Sequence, residues 1–315
     1  MERWIVVHLS MEVSDMKKFL INLLLFFVIV VIIDILAGKL FWSLHSHVTG
    51  GRTGIEFYAC ERSNEDIIIL GSSRASHHYI PQIITDSTGL SCFNAGQDGN
   101  GIILQYGRWK MMSKRHIPKV IIYDINPGFD LEYNDNMIYI DRLKPFCRDK
   151  DVRDYLVNLY PLEGIKMLSC MYCYNFKFLE IISDYILSHE DNKKGYIPFF
   201  GEIRKDVVEK TRNRKIIEIL TYDNEKLKYL EALVKECSEK GTKIVFVASP
   251  SFLGGEFKKN IFEPVRQISN KYNVPFLYYY ASDLSFDESL FKDSGHMNDE
   301  GAKAFTKEIS RVLEI

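Results

Sequence analysis

The most pronounced feature of the hydropathy pattern is a run with almost no polar interruption. From Phe19 to Gly38 the chain reads FLINLLLFFVIVVIIDILAG, 20 residues in which Asn22 and Asp34 are the only clearly polar members. As a helix rising about 1.5 Å per residue, this run spans roughly the 30 Å hydrocarbon core of a bilayer. It is longer than the apolar region of a cleaved signal peptide, about 7–15 residues, and no A-x-A site follows it. The pattern therefore predicts an uncleaved signal anchor over 19–38. Asp34, near the far end, is read as reaching the membrane interface rather than marking a helix partner. Lys17 and Lys18 precede the run, and Lys39 and Arg52 follow it. The positive-inside rule then leaves residues 1–18 as a short cytoplasmic tail by a narrow margin and exports the rest. Met16 with two lysines resembles the usual start of an anchor, so residues 1–15 read either as an over-long start or as part of that tail.

Past the anchor the rhythm changes. Residues 39–64 contain TGGRTG and few periodic apolar positions, which predicts a connector. From about Glu65 short apolar, β-rich runs recur at 66–70, 91–94, 119–125, 243–249 and 274–280, each of the kind found in strands covered on both faces. Helical patterns separate them at 102–114, 224–240 and 255–272, with a last amphipathic stretch from Asp299 to about Leu313. This alternation predicts an α/β domain over 65–315 with a parallel sheet between helical layers, and a site at the carboxyl ends of its strands. The interval from about Phe129 to Leu220 breaks the rhythm and reads as a helical insertion, placed beside the sheet or over the site. The tyrosines at 278–280 read as part of a buried strand rather than as a carbohydrate platform.

Composition narrows the chemistry. The 315 residues are 46% hydrophobic and 13% aromatic, as in a folded protein, and the formal net charge is −2. No block of Lys and Arg stands out, so nucleic acid is excluded as a partner and a small or neutral polymeric substrate fits better. Of the cysteines at 60, 92, 147, 170, 173 and 237, only Cys170 and Cys173 form a CxxC. They lie in the apolar, aromatic stretch MLSCMYCYNF with no second pair and no histidine pair at zinc spacing, so they read as structural or incidental thiols. A disulfide among the six stays open for an exported domain. His77 and His78 suggest a metal, but adjacent histidines seldom face one ion and the pattern places no third ligand, so no metal site is assigned.

Four pieces fall at the predicted strand ends: GSSRAS after 66–70, NAGQDGNG from Asn94 to Gly101, YDINPGFD from Tyr123 to Asp130, and DSGHMNDEG from Asp293 to Gly301. In the last, Asp293 and His296 are three residues apart, so one loop can bring a carboxylate to an imidazole. The histidine can then present its other nitrogen to a serine hydroxyl as a general base. Asn298, Asp299 and Gly301 provide a cap into the final helix.

Taken together and in this order, the four pieces resemble the blocks of the SGNH (GDSL-like) hydrolase superfamily over roughly 65–315. The likeness is greatest to the membrane-anchored, extracytoplasmic branch that includes D-alanyl transfer proteins of teichoic acid and O-acetyl transferases or esterases of envelope polysaccharides. The resemblance implies a three-layer α/β/α, flavodoxin-like fold and a serine acyl-ester hydrolase or O-acyltransferase. Ser73 takes the position of the nucleophile, with Ser72 where the GDSL form usually has Asp. His296 and Asp293 complete the triad. The amides of Ser73 and Gly99 and the side chain of Asn126 make the oxyanion hole, while Gly71 permits the turn after the strand, and Asn94, Gly96 and Gly101 shape loops. The third block reads DINP where the common form has a glycine followed by Thr, Asn and Asp, so a structural role for Asn126 stays open. The implied partners are an acylated carbohydrate or small ester, the membrane, and a membrane acyl-donor protein, and no cofactor is implied. A non-catalytic membrane-tethered binding or assembly protein that keeps the fold is the alternative.

Overall fold

The computed structural model describes residues 2–187, 194–214, 221–254 and 261–313, with side chains from residue 15 onward. Five strands form: β1 Ile67–Gly71, β2 Cys92–Asn94, β3 Val120–Asp124, β4 Lys243–Ala248 and β5 Phe276–Tyr278. All pair in parallel, in the order β2-β1-β3-β4-β5. This is the flavodoxin-like doubly wound order, whose direction of winding switches between β1 and β3.

Alternation along the central strands assigns each residue to one face. Ile68, Leu70, Ile121, Tyr123, Ile244, Phe246 and Ala248 pack into one core, whereas Ile67, Ile69, Val120, Ile122, Val245 and Val247 pack into the other. Successive side chains in a strand point to opposite faces, so a continuous apolar run is what a sheet covered on both sides requires. β5 departs from the expected buried strand. It is a three-residue edge strand whose Tyr278 is 40% exposed, because an edge strand in this order has a neighbour on one side only.

The helices, numbered in chain order, are α1 Glu2–His47, α2 Gly51–Glu61, α3 Ser73–His78, α4 Pro81–Thr88 and α5 Ile102–Arg115. Within the insertion lie α6 Met137–Ile140, α7 Lys150–Leu159, α8 Glu163–Lys166, α9 Phe178–Leu187 and α10 Lys205–Arg212. α11 Asn224–Glu239, α12 Glu263–Tyr272 and α13 Asp299–Val312 complete the layers. α3, α4 and α13 pack on one side of the sheet, and α2, α5, α11 and α12 on the other. The expected helix 255–272 is seen from Glu263, and residues 255–260 lie outside the described part, as do 188–193 and 215–220 of the insertion.

The interval 39–64 is helical over most of its length. α1 carries the anchor pattern without a break to His47, and its stretch Asp15–His47 is long and apolar enough to cross a membrane. α2 is buried along most of its length, from Thr53 to Cys60, against α5 and α9. Its Glu56, fully buried, forms an ion pair with Arg142 at 3.0 Å and another with Lys177. Burial raises the Glu56 carboxyl, but Lys177, Arg142 and Arg108 outweigh it and hold the pKa at about 2. Glu56 thus ties α2 to the insertion, and losing one member of such a buried set leaves an unpaired charge.

His45 of α1 packs edge-on against Phe57 and its Nε2 donates to the Thr53 carbonyl at 3.2 Å. Burial is the main cause that lowers its pKa to about 4 from an ordinary 6.5. A depressed folded-state value contributes stability that is complete above pH 6.5 and is lost as pH falls toward 4. Between pH 7 and pH 4 the wild type should therefore lose roughly 3 kcal/mol relative to His45→Gln in denaturant unfolding of the detergent-solubilised chain. Parallel curves for the two proteins would contradict this assignment.

Candidate active site

The turn after β1 is made possible by Gly71. Its φ of +141° is a conformation few side chains adopt, and a Cβ there would stand 2.6 Å from the Asp124 carbonyl oxygen of β3. Ser72 follows, fully buried, its Oγ without a hydrogen-bond partner among the described residues. Ser73 opens α3 and faces a cavity of about 500 Å³. Ser73, the serine that the resemblance assigns as nucleophile, is thereby separated from Ser72, which does not line this cavity.

Across the cavity the loop before α13 brings in the remaining groups. His296 Nε2 lies 2.7 Å from Ser73 Oγ, and His296 Nδ1 lies 3.0 Å from each carboxylate oxygen of Asp293. Asp293 Oδ1 also accepts from the amides of Gly295 at 2.8 Å and His296 at 2.9 Å. Burial raises the Asp293 carboxyl, but the His296 hydrogen bond and these amides hold it below the usual range, so it is ionised at neutral pH. An anionic Asp293 fixes the proton on Nδ1 and leaves Nε2 as the acceptor facing Ser73. The predicted cap is present, with Asn298 Oδ1 accepting from the Gly301 amide at 3.0 Å.

Gly99 and Asn126 line the same cavity. Asn126 lies two residues past the end of β3, and its Oδ1 accepts from the Gly128 amide at 3.2 Å, which fixes the side-chain amide and leaves Nδ2 without a protein acceptor among the described residues. The amides of Ser73 and Gly99 likewise have no acceptor among the described residues. Asn94 holds the loop in place, with Nδ2 donating to the carbonyls of Ala75 and Tyr79 and Oδ1 accepting from Gly96. At Gly96 a Cβ would stand 2.4 Å from the Ser76 nitrogen. At Gly101 a Cβ would stand 2.5 Å from Asp130 Oδ1 and 2.6 Å from the Phe129 carbonyl oxygen.

Several contributors were not assigned from sequence. Asp130, fully buried, accepts from the amides of Ile102 and Asn126 and from the Tyr123 hydroxyl, all at 2.7 Å, and so joins the loop after β2 to the end of β3. Burial pushes its pKa up to about 6. Arg74 reaches the carbonyls of Ile125 at 2.9 Å and Ser249 at 3.4 Å, tying α3 to the ends of β3 and β4. His78 accepts the Met297 amide proton on Nε2 at 3.0 Å, and its Nδ1 lies 3.0 Å from Ser249 Oγ. Burial holds its pKa well below the ordinary value, so the ring is neutral and Nδ1 donates to Ser249. The sequence signal available for Asp130, Arg74 and Ser249 was their position just beyond strand ends.

His77, adjacent in sequence, serves a different set of groups. Its Nδ1 lies 2.6 Å from the Ile197 carbonyl, its ring stacks on Phe199 at 3.8 Å, and its Nε2 is 3.1 Å from Asp98 at an angle poor for a hydrogen bond. Among the described residues no group of three His, Cys, Asp or Glu side chains could hold a metal. Residues 196–201 of the insertion border the site: Ile197 pairs with Ser76, and Phe199 lines the cavity while accepting from the Asp299 amide. Tyr280, read as part of a buried strand, also lines the cavity and lies under the Arg74 guanidinium at 5.2 Å. The CxxC is split between two settings, since Cys173 contacts Cys147 at 3.0 Å whereas Cys170 packs on Gly38 of α1.

The structure is therefore a doubly wound α/β/α domain with a Ser–His–Asp arrangement at its switch point. No family model and no curated protein matches the chain. Among solved structures it is similar to the psychrotrophic esterase EstA from Pseudoalteromonas sp., with 12% identity, 79% of this chain and 96% of that one covered, and a TM-score of 0.42. It is also similar to the acetyl xylan esterase AlAXEase (9% identity, 78% and 99% covered, TM-score 0.40) and to a G-D-S-L family protein from Desulfitobacterium hafniense (9%, 79% and 99%, 0.38).

His78 touches neither the cavity nor Ser73, yet it holds the amide next to His296. His78→Ala should slow modification of Ser73 by a fluorophosphonate by on the order of tenfold to a hundredfold, the range for an angstrom-scale misplacement of a catalytic group. His78→Gln, which can still accept from Met297, should recover part of the rate.

Proposed function

We propose that this protein is a membrane-anchored serine ester hydrolase or O-acyltransferase of the SGNH (GDSL-like) type, acting on an acylated glycan of the cell envelope. The observation that carries this reading is the 2.7 Å contact between Ser73 Oγ and His296 Nε2, with Asp293 3.0 Å from the other ring nitrogen. A serine hydroxyl is a weak nucleophile until a positioned base removes its proton, and these three side chains supply that base and its orienting carboxylate.

In this scheme Ser73 Oγ attacks the acyl carbonyl carbon while its proton passes to His296 Nε2. Asp293 keeps the required tautomer and stabilises the imidazolium. The carbonyl electron pair moves onto oxygen, which takes hydrogen bonds from the amides of Ser73 and Gly99 and from Asn126 Nδ2. Collapse of the tetrahedral intermediate expels the alcohol, which receives its proton from His296. Water or a sugar hydroxyl then attacks the acyl-Ser73 ester by the same route in reverse. No step needs a metal or an organic cofactor.

The cavity supports a substrate of modest size. Its lining combines Pro127, Phe129, Phe199 and Tyr280 with Arg74, His77 and Asp98, a mixture of apolar walls and a few polar groups suited to a short acyl chain on a sugar. The anchor pattern supports placement at the envelope.

The test is fluorophosphonate labelling of the full-length protein in detergent, followed by hydrolysis of a simple acetyl ester. The wild type should label on Ser73 and turn over, and Ser73→Ala and His296→Ala should lose both activities. Label on Ser72, or equal label on all three proteins, would overturn the assigned nucleophile. Asn126→Ala should keep the labelled serine but lower turnover on the order of 10²–10³-fold, the usual cost of losing one oxyanion donor.

A further inference from the structure

We propose that residues 162–179 form an interfacial collar, with Leu162, Ile165, Leu168, Met171 and Phe176 in contact with the lipid of the same bilayer that α1 crosses. This inference rests on the anchor reading of residues 19–38.

Exposure is the first observation. Leu162 and Ile165 are each 69% exposed, Leu168 71% and Phe176 78%, within fifteen residues of chain. Single exposed apolar side chains are ordinary on a soluble surface, but a concentration of this kind marks an interaction face.

The height of the segment along α1 is the second observation, and it identifies the partner. Asp34 accepts from Ser169 Oγ at 2.6 Å, from the Cys170 amide at 2.7 Å and from the Met171 amide at 2.9 Å. One helical turn further on, at Gly38, a Cβ would stand 2.3 Å from Cys170 Cβ, so the loop and the helix touch closely. Residues 169–171 are thereby fixed beside the last turn of the apolar run, about 6 Å from its end. A segment held there faces the boundary between hydrocarbon and headgroups. On α1 itself Leu36 and Leu40 are also exposed, at 60% and 57%.

The surrounding residue types agree with that depth. Tyr172 and Lys166 belong to the segment itself, Lys166 reaching Glu163 at 2.8 Å, and Lys39 follows Gly38 on α1. Amphipathic rings and long cations are the side chains enriched at the headgroup level. Asp34 accounts for itself in the same arrangement: its carboxylate takes three hydrogen bonds from the collar, so a polar group near the membrane edge is satisfied rather than bare. An amphipathic segment of this kind lies in the interface without crossing it.

The experiment places the full-length protein in nanodiscs made with ordinary or brominated phosphatidylcholine, bromine being a contact quencher of tryptophan. Leu168→Trp reports the collar and Phe26→Trp the anchor, each corrected for the native tryptophans with the wild type. The proposal expects shallow bromines to remove most of the added Leu168→Trp emission and deep bromines to remove most of that from Phe26→Trp. Quenching of Phe26→Trp with an unquenched, water-exposed signal from Leu168→Trp would overturn the collar alone and point to a protein partner for this face. No quenching of either would overturn the anchor reading and the collar with it.

Discussion

Parallel pairing of β1 with β3 is the constraint on which the site depends. The two strands run in register from Ile67 opposite Val120 to Gly71 opposite Asp124, so their carboxyl ends open at one level. Ser73 follows one end and Asn126 the other. Because the winding direction changes between these strands, the connections leave in opposite directions and a crevice remains. Gly71 makes the arrangement sterically feasible, since any side chain there would collide with the neighbouring strand. Loss of this register would separate the groups even if every residue of the site were retained.

Around the crevice, buried polar groups do the positioning. Asp130 ties the second and third loops together, Arg74 fastens α3 to the ends of β3 and β4, and the His78–Ser249 pair holds the histidine loop from behind. These groups are desolvated and almost fully partnered, which is what makes a loop-borne site rigid. The same principle recurs away from the site, where Glu56 with Arg142 and Lys177 locks α2 to the insertion.

The insertion has two distinct surfaces. Residues 196–201 complete the wall of the cavity through Phe199, whereas the 162–179 portion clasps α1 at Asp34. One insertion thus contacts both the candidate catalytic groups and the long apolar helix α1. A single domain carrying both contacts fixes the distance between its cavity and the apolar stretch of α1.

The sequence by itself determined the elements whose signal is local. Continuous apolar runs identified β1, β3 and β4, the three inner strands, because burial on both faces leaves no polar positions. The unbroken run 19–38 identified a membrane-length helix. The order of the four blocks singled out Ser73, Gly99, Asn126, Asp293 and His296, all of which line or adjoin one cavity. Only the tertiary structure placed Ser73 on the cavity and Ser72 away from it, since both follow the strand and their orientations depend on the turn at Gly71. It also decided the edge position of β5, the helical packing of residues 39–61 and the partners of His77, His78 and Asp34. Those outcomes depend on contacts between residues as far apart as Ser73 and His296, 223 positions away in the chain, and a local pattern carries no record of which distant group a side chain will meet.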